Sequence, residues 1–218
     1  MSTQKGLARM PTDDHRHDQP PMGRIETFSD GVFAIAITLL IIEIGVPHLE
    51  AGDSLGEALA DLWPSYGAYV LSFGTIGIWW ANHHSFFRLF RRSDHFFLML
   101  NVIFLASIAF VPFPTAVLGE YLSDDSERQA AVGFYVLGFL FPAIGWLAIW
   151  LYGNARGLVD ERLHPGYVRL LTAQYAFSNV VYGSALLLSL WSAWLALGIC
   201  VGLTLLYLVP PRRPKYID

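Results

Sequence analysis

Apolar residues run along the chain in long blocks, separated by short polar links. The blocks predict membrane-crossing helices over residues 25–46, 62–87, 95–117, 129–152, 166–189 and 191–209. Each is long enough to cross a hydrocarbon core of roughly 30 Å at roughly 1.5 Å per residue. The last two are so close in sequence that they form a tight hairpin. No internal repeat is visible. The pattern predicts an all-α membrane protein with six transmembrane helices.

The first block begins RIETFSDGVFAIAITLL, with charges and a serine crowded at its start. Between Gly31 and Ile42 the hydroxyl of Thr38 is the single side-chain hydrogen-bonding group. On a helical projection Ile35, Thr38, Leu39 and Ile42 share one stripe, while Asp30 lies about 140° from Ile35, among Ala34, Ile37 and Ile41. A carboxylate at the edge of the hydrocarbon needs donors, because a bare charge there costs several kcal/mol. Trp80, Asn82, His83, His84 and Asn101 lie in the same layer, and Ser29, Asp30, His83 and Asn101 are expected to form an inter-helix network. The plainer alternative has Asp30 capping the helix start and facing water. Lipid contact alone accounts for an aliphatic stripe. If several copies of the helix face one another, the stripe instead encloses a narrow pore, and Thr38 offers oxygens to a partly hydrated cation.

Charge orients the blocks. Thirteen of the 14 basic residues fall before the first block, in or around the alternate links, or after the last block; Arg128 alone lies opposite. The opposite links carry Glu50, Asp53, Glu57, Asp61, Glu120, Asp124, Asp125 and Glu127. By the positive-inside rule both termini are cytoplasmic, as an even number of crossings requires. The plasma membrane of a prokaryote is the default location. The chain is 54% hydrophobic and carries a net charge of −4, which gives no footing for a nucleic-acid partner. Cys200 is a lone cysteine, so no internal disulfide is expected. His83, His84 and His95 fit no metal-ligand spacing, no catalytic motif is visible, and neither an enzyme nor a cofactor is expected. Residues 1–22 read as a disordered cytoplasmic tail rather than a secretory signal, and 211–218 as a second tail. The tryptophans near block ends suggest interfacial belts, and Gly198 and Gly202 a packing step.

RxxxFSD at Arg24 to Asp30, joined to GVFAIAITLL, resembles the bacterial branch of the transmembrane protein 175 family, the lysosomal potassium channel family. WANHHSFF at Trp80 to Phe87 and FVPFP at Phe110 to Pro114 look like the same family. The resemblance covers all six blocks. It implies a homotetramer in the lipid bilayer, built from the 23–210 channel domain, with the first helix of each subunit lining a central pore. It implies a constitutive potassium leak without a TVGYG filter, with K⁺ as the permeant ion among monovalent cations. The constriction would fall on Ile35, further pore layers on Leu39 and Ile42, and selectivity on Thr38. Arg24, Phe28, Ser29 and Asp30 would lock the first helix to the next two through Trp80, His83 and Asn101. The alternative is a proton-conducting channel or a pH-coupled cation transporter, since His83 and Asp30 are titratable.

Overall fold

The computed structural model describes residues 22–209 and 214–217, and these are helical almost throughout. The order is α1 (Met22–Leu39), α2 (Leu55–Asp61), α3 (Trp63–Phe87), α4 (His95–Phe110), α5 (Pro112–Tyr121), α6 (Arg128–Ala155), α7 (Pro165–Leu188) and α8 (Ala193–Tyr207). Eight segments replace the six expected, for two local reasons. α2 is a seven-residue helix in the acidic link, where Glu57 in its first turn complements the helix dipole. α4 and α5 are one 27-residue rod broken at Val111. Val111 itself keeps α dihedrals, but Pro112 and Pro114 have no amide hydrogen to give to the preceding turn. The ladder is nevertheless kept: the Val111 amide reaches the Ile108 carbonyl at 3.1 Å, and Thr115 reaches back to Val111 at 3.2 Å. This rod and α6 are long and apolar enough to cross a bilayer by length and composition, and α8 is a shorter apolar helix.

α6 is the hub, packed against α4, α5, α7 and α8, while α1 lies against α3 and α4. Hydroxyls tie the bundle together. Ser72 on α3 sits 2.8 Å from Thr115 on α5 and 2.9 Å from the Tyr135 hydroxyl on α6. Thr75 meets Thr204 of α8 at 2.8 Å. In hydrocarbon such bonds contribute roughly 0.6–2 kcal/mol each. Trp150 departs from the interfacial-belt reading. It is fully buried, and its indole N–H donates to Thr172 at 2.8 Å. Gly198 and Gly202 have open space where a Cβ would stand, so they form no packing step within the subunit.

The tail read over 1–22 lies outside the described residues except for Met22, which opens α1. Part of the second tail is pinned. The His164 amide donates to the Lys215 carbonyl at 2.9 Å, and Ile217 donates to Arg162 at 2.7 Å.

Candidate functional site

α1 packs with a repeating step of three or four residues. Ile25, Ser29, Phe33, Ala36 and then Leu40 are buried against the bundle. The opposite stripe finds nothing in its own subunit to cover it. Ile35 is 61% exposed, Leu39 39% and Ile42 72%, and Thr38 is exposed among them. The Thr38 hydroxyl lies 2.9 Å from both the Ala34 and the Ile35 carbonyls of its own helix. Its proton is therefore spent inward, and the oxygen's lone pairs are left for the open side.

The helix ends sooner than the 25–46 block predicts. Beyond Leu39 the chain tightens into three-residue turns, Ile42 to Leu39 at 3.0 Å and Ile44 to Ile41 at 3.3 Å. Three β-branched residues crowd this stretch, and Gly45 and Pro47 follow them. Ile42 thus stands on a turn, and the 3.6-residue projection that aligned it with Ile35 does not apply there.

The expected anchor network divides into two parts. In the buried part the Asn101 amide donates to the Ser29 hydroxyl at 3.2 Å, and its carbonyl oxygen lies 3.5 Å from His83 Nε2. In the exposed part Trp80 Nε1 donates to Asp30 at 2.9 Å. Asp30 therefore binds neither His83 nor Asn101. It sits one residue past Ser29, about 100° around the helix, so the two side chains face different neighbours. Arg24 and Phe28 are exposed and belong to neither part; Phe28 is 59% exposed. His84 Nδ1 stands 4.0 Å from Glu26, a second, looser link from α3 to α1.

Sequence reasoning missed the aromatic cage around His83. Its ring lies parallel to Phe104 with centroids 5.7 Å apart, takes the edge of Phe33 at 5.3 Å, and meets Phe87 at 4.4 Å. Phe33 was legible, being four residues after Ser29 on the same face. Phe104 was not, because its partner lies on the preceding helix, across a link whose course the sequence does not fix.

A clasp joins the links at one end of the bundle. Phe90 pairs with Val159, and the Asp160 amide donates to Leu89 at 2.9 Å. The Asp160 carboxylate accepts from the Arg162 guanidinium at 2.9 Å and faces Arg91 at 3.4 Å. The Arg162 side chain and amide pull its pKa down to about 2. Nearby Asp94 caps α4 by accepting from Phe97 at 2.8 Å, and it takes the Tyr152 hydroxyl at 2.9 Å. Desolvation opposes its charge, but these donors and Arg156 outweigh it and hold its pKa below the ordinary value.

The family model described as the endosomal/lysosomal potassium channel TMEM175 matches residues 24–112, which take in all of α1 but its first two residues, both anchors and α4. A potassium channel of Chamaesiphon minutus is 42% identical over 193 residues, spanning 87% of this chain and 95% of its own. The chain belongs to the TMEM175 family. TMEM175 proteins are ion channels rather than enzymes, and the chain is a membrane protein. A potassium channel of Streptomyces collinus is also 42% identical, over 85% of this chain and 90% of its own. The crystal structure of a lysosomal potassium-selective channel TMEM175 homolog from Chamaesiphon minutus superposes with a TM-score of 0.78 at 40% identity, over 86% of this chain and 96% of that one. The endosomal/lysosomal proton channel TMEM175 of Gallus gallus is 36% identical over 71% of this chain, which spans 32% of that longer protein.

Proposed function

We propose that the chain is one subunit of a homotetrameric, constitutively leaky potassium channel with six membrane crossings and cytoplasmic termini, in the plasma membrane of a prokaryote. The four α1 helices surround the pore. The observation that carries this reading is the uncovered stripe of α1, set opposite a face that the subunit packs tightly. Ile35 forms the constriction, Leu39 and Ile42 the wider layers beyond it, and Thr38 a ring of acceptor oxygens between them. An aliphatic ring cannot replace a hydration shell. An ion narrowing its shell there loses water, and Na⁺ holds water more tightly than K⁺, so narrowness favours K⁺. Ser29, Asp30, Trp80, His83 and Asn101 hold α1 at its distance from the axis.

The test is potassium-driven flux in liposomes, wild type against Ile35→Asn. Wetting the ring should raise flux. An unchanged flux would move the pore away from α1.

Proton conduction is the second reading, supported by the vertebrate relatives that are named proton channels. A pH gradient imposed without potassium discriminates: proton flux that exceeds potassium flux and survives Ile35→Asn unchanged favours it.

A further inference from the structure

A cavity of about 700 Å³ lies away from α1, bounded by α3, α6, α7 and α8. It is elongated along the bundle. α3 lines it from Trp79 to Phe86, about 10 Å at the helical rise, and Leu89 of the following link continues the wall. α7 lines it from Tyr182 down to Tyr167. Trp146 and Pro142 of α6 form part of its wall, and Asn82, Ser85 and Gln174 bring polar groups to it. Close-packed interiors leave few voids larger than a water molecule, and this volume is that of a small-molecule site. Its place in the bundle puts it at hydrocarbon depth, where a molecule filling it would meet mostly apolar wall.

One end of the cavity differs from the other. Leu89, Leu170 and Pro214 line it, and each adjoins a basic residue in the chain: Arg88, Arg169 and Lys215. Among the described residues, the acidic groups of that end are matched. Asp160 holds Arg91 and Arg162, and Glu161 stands 3.9 Å from Arg92. Among the described residues, Arg88, Arg169 and Lys215 are exposed and have no carboxylate within 4.0 Å, beside this end of an apolar slot.

We propose that this cavity binds one acyl chain of an anionic glycerophospholipid, with the headgroup phosphate at the end marked by Arg88, Arg169 and Lys215. The chain fills the elongated apolar volume, and the basic end distinguishes an anionic headgroup from a zwitterionic one. The proposal rests on the membrane placement of the bundle and is independent of which ion the pore carries.

Native mass spectrometry of the whole protein, released from bilayers of equimolar phosphatidylglycerol and phosphatidylcholine, tests it. Wild type should retain one lipid per subunit, with phosphatidylglycerol favoured about tenfold, the equivalent of about 1.4 kcal/mol. Ala143→Phe and Ala173→Phe fill the slot from two helices, and each should abolish retention. The double variant Arg88→Gln, Arg169→Gln should keep a lipid but lose the headgroup preference. Equal retention of the two lipids by wild type would overturn the proposal, as would undiminished retention in both filled variants. Loss of the oligomer in both filled variants would also overturn it, by assigning the slot to a second copy of the chain. Potassium flux of the wild type is measured separately and is unaffected by any of these results.

Discussion

At the residue scale, the two parts of the anchor network differ in what their loss exposes. Asn101 is buried and serves both Ser29 and His83. Asn101→Ala strands both partners away from water, at about 1–3 kcal/mol for each group left unsatisfied. Asp30→Ala frees an indole that is half exposed, at about 0.5–1.5 kcal/mol. Thermal unfolding in detergent should therefore show a larger fall in Tm for Asn101→Ala than for Asp30→Ala; the reverse order would mean that the exposed anchor holds the helix. Thr38 acts differently. Its hydroxyl is satisfied within its own turn, so Thr38→Ala should leave stability unchanged and lower the preference for K⁺ over Na⁺, read as a shift in reversal potential under mixed cations. Unchanged reversal potentials would remove Thr38 from selectivity.

At the scale of elements, the early end of α1 separates the three aliphatic positions of the stripe. Ile35 and Leu39 stand on regular helix and Ile42 on a turn, where a side chain can move aside. Ile42→Asn should raise potassium flux less than Ile35→Asn in the same liposome assay, and equal effects would mean that the helix continues past Leu39 in the working channel. The α4–α5 rod carries a second constraint. A Cβ at Gly138 of α6 would come within 2.6 Å of the Pro114 ring. A proline ring cannot rotate away, so Gly138→Ala must part α5 from α6. Its folded yield and Tm should fall well below those of Gly198→Ala, where the added methyl meets open space.

At the scale of the molecule, the clasp around Asp160 joins the link after α3, the link before α7 and the stretch near Lys215. The folded pKa of Asp160 is depressed to about 2 from an ordinary value of 3.8. Its contribution is therefore fully present above about pH 4 and is lost as the pH falls toward about 2. Asp160→Asn should speed amide exchange at Arg91 and His164 at neutral pH, and that difference from wild type should vanish in strong acid. The sequence made the helices legible because hydropathy and basic links are properties of single segments. The buried stripe of α1 was equally readable, being periodic. The Asp30–Trp80 bond was among the candidates, but its separation from the Asn101 pair depends on how α1 rotates against α3 and α4. The clasp was not legible at all. It is made largely of backbone hydrogen bonds between links far apart in sequence, and no residue type announces those. The break at Val111 comes from the prolines of FVPFP, which a hydropathy pattern passes over, and the small helix at Leu55 was hidden in a link too polar to suggest one.

The uncovered stripe of α1 also bears on inheritance. In the proposed ring every altered residue appears once per subunit, so a cell carrying a normal and an Ile35→Asn allele would build channels of mixed composition. Each asparagine in the ring adds one polar group at the narrowest point. The trait should behave as dominant, and co-expressed subunits should give conductances in discrete steps that count the polar side chains present.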